Sequence, residues 1–301
     1  GLIRVWDLGA TTQPIATLKV EGQPRAVSIS ADGTRAVAST ERPNSLSVIR
    51  LDGLDKAAAN GTLQLAAERT VSLESQRQLG AAVFTPGVGS NRVVVLGGAE
   101  ARLLDITTGN VEKTFSPLGI VASASFSTDG QWLVTASWDR TARIWDAETG
   151  TDIRKLSGPD GHQGDVRSAV FSPDPDSRYV LTAGEDGRVI VWERESGQIR
   201  MVIAGHDGEA TGASFSTDGN LILTSSADGT ARVWDASGLW AEGAAATVEA
   251  TQKMILNGHR ASVLSATFST DSSSIVTTSE DGTAIVWDAT SGNQLYTLTG
   301  H

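Results

Sequence analysis

The stretch FSTDGQWLVTASWDRTARIWDAETG, Phe126 to Gly150, returns along the chain in recognisable copies. FSPDPDSRYVLTAGEDGRVIVWERESG starts at Phe171, FSTDGNLILTSSADGTARVWDASG at Phe215 and FSTDSSSIVTTSEDGTAIVWDATSG at Phe268. Phe and Trp are 19 residues apart in three of these copies and 21 in the one at Phe171, and successive Trp residues are 47, 42 and 53 apart. A unit of this length cannot bury its apolar face alone, so neighbouring units must stack. Weaker copies start at Ile29 and Phe84, with Ile49 and Leu104 where the Trp would stand, and GLIRVWD at the start supplies a half copy with Trp6 and Asp7.

Within a copy the pattern is that of strands. VASASFS and WLVTAS alternate or run apolar with period two, and Asp-Gly pairs such as those in TDGQ, EDGR and ADGT mark tight hairpin turns. Four strands follow in order: in the copy of Phe126 they are VASASFS, WLVTAS, ARIWDA and DIRKL. LDKAAAN (Leu54 to Asn60) and LWAEGAAATVEA (Leu239 to Ala250) are predicted as turns of helix, each between a third and a fourth strand.

The copies resemble WD40 repeats. The resemblance rests on Gly-His before the first strand (Gly161-His162, Gly205-His206, Gly258-His259, Gly300-His301) and on an Asp in the second turn (Asp139, Asp186, Asp228, Asp281). It rests also on Trp-Asp closing the third strand (Trp6-Asp7, Trp145-Asp146, Trp234-Asp235, Trp287-Asp288), with Trp192-Glu193 as a departure. It is similar to the long bacterial arrays of such repeats. It implies an all-β fold: a seven-bladed β-propeller of four-stranded antiparallel blades, as one domain over 1–301, with blades starting near 23, 78, 118, 161, 205 and 258. Third strands can be counted seven times and first strands six times. The blade of Trp6, over 1–22, is therefore expected to be incomplete, its first two strands lying before Gly1 in a longer protein.

The resemblance also assigns the Ser, His, Asp and Trp content to buried hydrogen-bonded sets: His162, Thr182, Asp186, Trp192; His206, Ser226, Asp228, Trp234; and His259, Ser279, Asp281, Trp287. The same residue types could be read as a nucleophilic triad. A constellation that occurs three times over is a building element instead, because an enzyme needs one site. The glycines of GVGSNR (Gly87 to Arg92) precede no helix and read as a hairpin connection. The carboxylates of DPDS (Asp174 to Ser177) lack the rest of a calcium loop. No Cys is present and all four His fall in the Gly-His pairs, so no metal or other cofactor is expected.

The net charge of −11 argues against a phosphate-backbone partner, so nucleic acid is excluded from the expected partners. No apolar run is long enough to span a membrane as a helix. The expected function is that of a non-catalytic protein-interaction scaffold or regulatory domain, docking another protein or another part of its own chain. The alternative is a propeller enzyme or small-ligand binder using the central channel.

For the scaffold, the end carrying the second turns is the expected binding face. Its candidate residues are Arg25, Trp138, Asp165, Arg167, Glu185, Glu209, Leu264 and Glu280. Trp138 is the one aromatic at a position held elsewhere by Glu185, Ala227 and Glu280. An aromatic anchor ringed by charge is what interfaces favour. The opposite end carries the insertions 52–65, 86–91, 174–178 and 237–252, the last with Trp240 as a local cap or a second docking element.

Overall fold

In the computed structural model the described residues are 1–6, 14–51, 54, 63–73, 79–87, 89–241 and 247–299. Asp7, Gln78 and the pair Gly300-His301 lie outside them, as does most of the insertion 52–65. The described strands form seven sheets, six of them four-stranded and antiparallel, the blades of a seven-bladed β-propeller.

The chain packs as two compact units, the first made of 1–124 with 148–150 and the second of the rest. In the first unit, β1 (Leu2–Trp6) pairs antiparallel with β2 (Pro14–Lys19). The next blade is β3 (Gln23–Ile29), β4 (Arg35–Glu41), β5 (Ser45–Arg50) and β7 (Ala67–Ser72). Between its last two strands runs β6 (Leu63–Leu65), which leaves its own blade and pairs parallel with β2, Ala16 opposite Leu63. The blade of Trp6 is thus three-stranded and mixed. The blade of Phe84 follows: β8 (Leu79–Phe84), β9 (Arg92–Gly97), β10 (Glu100–Asp105) and β11 (Val111–Phe115).

The remaining blades repeat one order. They are β12 (Val121–Phe126), β13 (Trp132–Ser137), β14 (Ala142–Asp146), β15 (Asp152–Leu156); and β16 (Val166–Phe171), β17 (Tyr179–Gly184), β18 (Val189–Glu193), β19 (Ile199–Ile203). Then come β20 (Ala210–Phe215), β21 (Leu221–Ser226), β22 (Thr230–Asp235), β23 (Thr251–Asn257); and β24 (Val263–Phe268), β25 (Ser274–Ser279), β26 (Ala284–Asp288), β27 (Gln294–Leu298).

Each core layer lies between consecutive blades. Trp192 packs with Val134 and Ile144 of the preceding blade, Trp234 with Leu181 and Val191, and Trp287 with Leu223 and Val233. In the first unit Ile49 packs against Leu18 and Leu104 against Val48, so these two apolar residues take the buried place of the absent Trp. Burial of the third-strand residue is kept while its indole N–H is dispensed with.

Of the helical expectation for 239–250, residues 242–246 lie outside the described residues. Among the described ones the expectation is corrected, since Leu239 and Trp240 belong to the single 3-10 turn Ser237–Trp240 and Val248 forms an isolated parallel bridge to Met201 on β19. Leu54 is the one described residue of the other predicted helix. Both insertions therefore do the same thing. Each adds parallel backbone pairing to the outer strand of the blade before its own, which covers part of an exposed sheet edge.

Candidate functional site

Two sets of polar residues compete for a functional reading, one buried within blades and one exposed at the turns. In the buried set, the Trp234 indole N–H donates to Thr224 Oγ1 (3.0 Å), which lies 2.7 Å from His206 Nε2, while His206 Nδ1 is 2.8 Å from Asp228 Oδ2. A carboxylate can only accept, so Nδ1 carries the proton and Nε2 accepts from the threonine hydroxyl. The same chain runs through Trp192, Thr182, His162 and Asp186 at 2.8, 2.8 and 3.0 Å. Trp287, Thr277, His259 and Asp281 repeat it at 2.9, 2.8 and 3.0 Å.

The hydroxyl in the second and third sets belongs to Thr224 and Thr277, so the expectation of Ser226 and Ser279 is corrected. Thr135, Thr182, Thr224 and Thr277 each stand ten residues before the Trp whose N–H they accept. Ser226 and Ser279 stand eight before it and instead accept from the backbone N–H of Asp228 and Asp281. That constant spacing was available in the sequence. The blade of Trp145 keeps Thr135 and Asp139 but has no His, and Asp139 accepts from the Thr141 hydroxyl and N–H.

The electrostatics follow from this wiring. Burial pushes His206 below the ordinary histidine range, and the hydrogen bond and charge of Asp228 only partly oppose it. Burial disfavours the Asp228 carboxylate, yet donation from Thr230 and His206 overrides it and lowers the group to about 2. Asp186 is held below the usual range in the same way, by His162 and the backbone N–H of Gln163 against burial. The imidazoles are nearly inaccessible, their side chains 2%, 1% and 1% exposed for His162, His206 and His259. Their polar atoms are turned to one another, as structural members require.

The exposed set lies in the second unit. Trp138, 43% exposed, follows β13. The Arg167 guanidinium of β16 lies over its ring, Cζ 5.3 Å from the centroid. Arg167 Nη2 also reaches Glu185 Oε1 at 3.3 Å and Glu209 Oε2 at 3.5 Å. Asp165 is tied to Glu185 through its backbone, its carbonyl accepting from the Glu185 N–H at 2.8 Å. Trp138, Asp165, Arg167, Glu185 and Glu209 are therefore brought together. Leu264, 49% exposed on β24, and Glu280, at the end of β25, lie on the last blade. Arg25 belongs to the first unit, where its Nε donates to the buried Glu41 carboxylate at 2.8 Å.

Trp240 is a local clasp. Its indole N–H donates to the Gly219 carbonyl at 3.0 Å, its ring meets Tyr179 edge-on at 5.3 Å, and Arg178 covers it at 5.0 Å. The Tyr179 hydroxyl donates to the Leu239 carbonyl at 2.8 Å. This joins the β16–β19 and β20–β23 blades at the end bearing the insertions. Among the described residues no group of three or more His, Cys, Asp or Glu is placed to hold a metal ion. No described helix is long and apolar enough to cross a membrane.

The WD domain, G-beta repeat family matches residues 109–146, 150–193, 197–235 and 250–288, together more than half of the chain. The chain belongs to the WD40 repeat family. The LST8 homolog of Dictyostelium discoideum is 34% identical over 201 residues, 65% of this chain and 62% of that protein. Protein tipD of the same organism is 34% identical over 97 residues, 32% of this chain and 14% of that one. Mouse WD repeat-containing protein 37 is 32% identical over 170 residues, 56% and 23% respectively. The chain thus spans less than two thirds of the length of each. These relatives are eukaryotic, and they lend no support to a bacterial origin for the array.

Proposed function

We propose that this WD40 protein is a non-catalytic interaction scaffold that docks a protein partner, or another part of its own chain, through the turns carrying Trp138. The observation that carries this reading is the half-exposed indole with Arg167, Glu185 and Glu209 gathered about it. A large side chain left in water at a position filled by Glu or Ala in sister repeats serves no core, and Trp and Arg are the residues that most often anchor interfaces. The surrounding carboxylates and the net charge of −11 favour a partner offering basic residues about an apolar centre, and disfavour nucleic acid. The non-catalytic part of the reading is supported by the imidazoles and carboxylates being engaged with one another in three equivalent places.

Selection of a displayed library of random linear peptides against the protein tests it. The expected binders carry Arg or Lys around an apolar residue. Trp138→Ala should weaken them by about 30-fold or more, the size of a hot-spot truncation, with the melting temperature changed little. Binders that keep full affinity for Trp138→Ala would overturn the reading.

A further inference from the structure

We infer that Trp138, Glu185 and Glu209 form a receptor for a single arginine side chain of the partner, and that Arg167 occupies this receptor in the unbound protein. The inference rests on the reading that the partner docks at Trp138.

The three receptor residues come from three successive blades, after β13, after β17 and before β20, and converge on one guanidinium. A planar guanidinium can lay its face on an indole while its edge donates to carboxylates, which an ammonium cannot do in one pose. Arg167 stands over the Trp138 ring, Cζ 5.3 Å from its centroid, and reaches both carboxylates, so it displays the chemistry of the ligand that fits. It is also loosely held. Its two ion pairs are long, at 3.3 and 3.5 Å, and the side chains of Arg167, Glu185 and Glu209 are 29%, 40% and 42% exposed. Exposed ion pairs and stacks of this kind hold a side chain only weakly. Two carboxylates facing one cation leave the group net negative, so a second guanidinium is attracted even while the first is bound. The equivalent positions in the next two blades are Thr211 and Leu264, neither of which can compete.

An internal competitor lowers apparent affinity by the fraction of time the receptor is free. Removing Arg167 should therefore tighten an arginine ligand about fivefold to tenfold. The probe is the blocked tripeptide Ala-Arg-Ala, titrated into the whole chain and followed by NMR at the Trp138 indole N–H. The Arg167→Ala variant should bind it more tightly than the wild type by that factor, and Ala-Lys-Ala should gain several-fold less. Trp138→Ala in the Arg167→Ala background should abolish the response in the Glu185 and Glu209 side chains. Equal binding by wild type and Arg167→Ala would overturn the inference. So would an equal gain for the lysine probe, which would mark a charge effect, or binding that survives Trp138→Ala. If library-selected peptides still need Trp138 while this titration fails, the docking face stands and only the arginine receptor falls.

Discussion

The backbone N–H of Thr128 donates to Ser177 Oγ at 3.1 Å, joining the first turns of adjacent blades through a serine held at φ 46°. Two blades further on Thr217 makes the same bond to Ser272, at 3.1 Å and φ 56°. The two S-T-D-G turns, after β12 and after β20, have Gly130 and Gly219 at φ 73° and 74° where Ser272 stands in S-T-D-S. A serine in left-handed backbone costs about 1 kcal/mol, and it persists where its hydroxyl takes up a neighbour's N–H.

Ser177 is buried, so its hydroxyl and its backbone strain can be separated by substitution. Ser177→Ala keeps the strain and orphans the Thr128 N–H, and should cost about 1–2 kcal/mol. Ser177→Gly loses the same bond but relieves the strain, and should fall between Ala and wild type. Denaturant midpoints of the three proteins check this; an Ala variant as stable as the Gly variant would contradict it.

The threonine at the centre of the buried chain should matter more than the serine two residues on. Thr224→Val preserves shape but leaves the Trp234 N–H and His206 without their partner, and should cost about 2–4 kcal/mol. Ser226→Ala removes one acceptor of a turn N–H, and should cost about 1 kcal/mol. Urea unfolding of both variants decides the order.

Acid should weaken the β20–β23 blade in two stages. His206 binds its proton less readily folded than unfolded, so stability is full above about pH 6.5 and declines as pH falls below it. Asp228, lowered to about 2, adds a second loss between its ordinary range near 3.8 and that value. Both contributions have the same sign. His206→Gln should remove the first stage of a melting-temperature profile and shrink the second, which Thr230 still sustains by donating to Asp228.

Two exposed-looking tryptophans should part company. Trp240→Ala removes the Gly219 hydrogen bond and the Tyr179 contact, and should cost about 2–3 kcal/mol of stability without touching ligands selected for Trp138. Trp138→Ala loses an exposed stack and should cost no more than about 1 kcal/mol. A scan of melting temperatures beside a binding assay separates the roles.

What the sequence alone determined here is what repeats. Period-two strands, Asp-Gly turns and the recurring Gly-His, Asp and Trp positions are local patterns, and their recurrence specifies blades and the residues that wire each one. Even the threonines at ten residues before each Trp are local: Thr182 is legible as such, while at Thr224 and Thr277 the neighbouring Ser226 and Ser279 offer the same chemistry closer to the turn. What tertiary structure decided is everything that passes from blade to blade. β6 on β2, Val248 on Met201, Trp240 against Tyr179, Thr128 on Ser177 and Arg167 over Trp138 each join segments whose separation follows no motif. Backbone periodicity is set by sterics within a few residues of each position. The partner of an edge strand or an exposed ring is set by which neighbour the stacking brings within reach, and no local pattern encodes that.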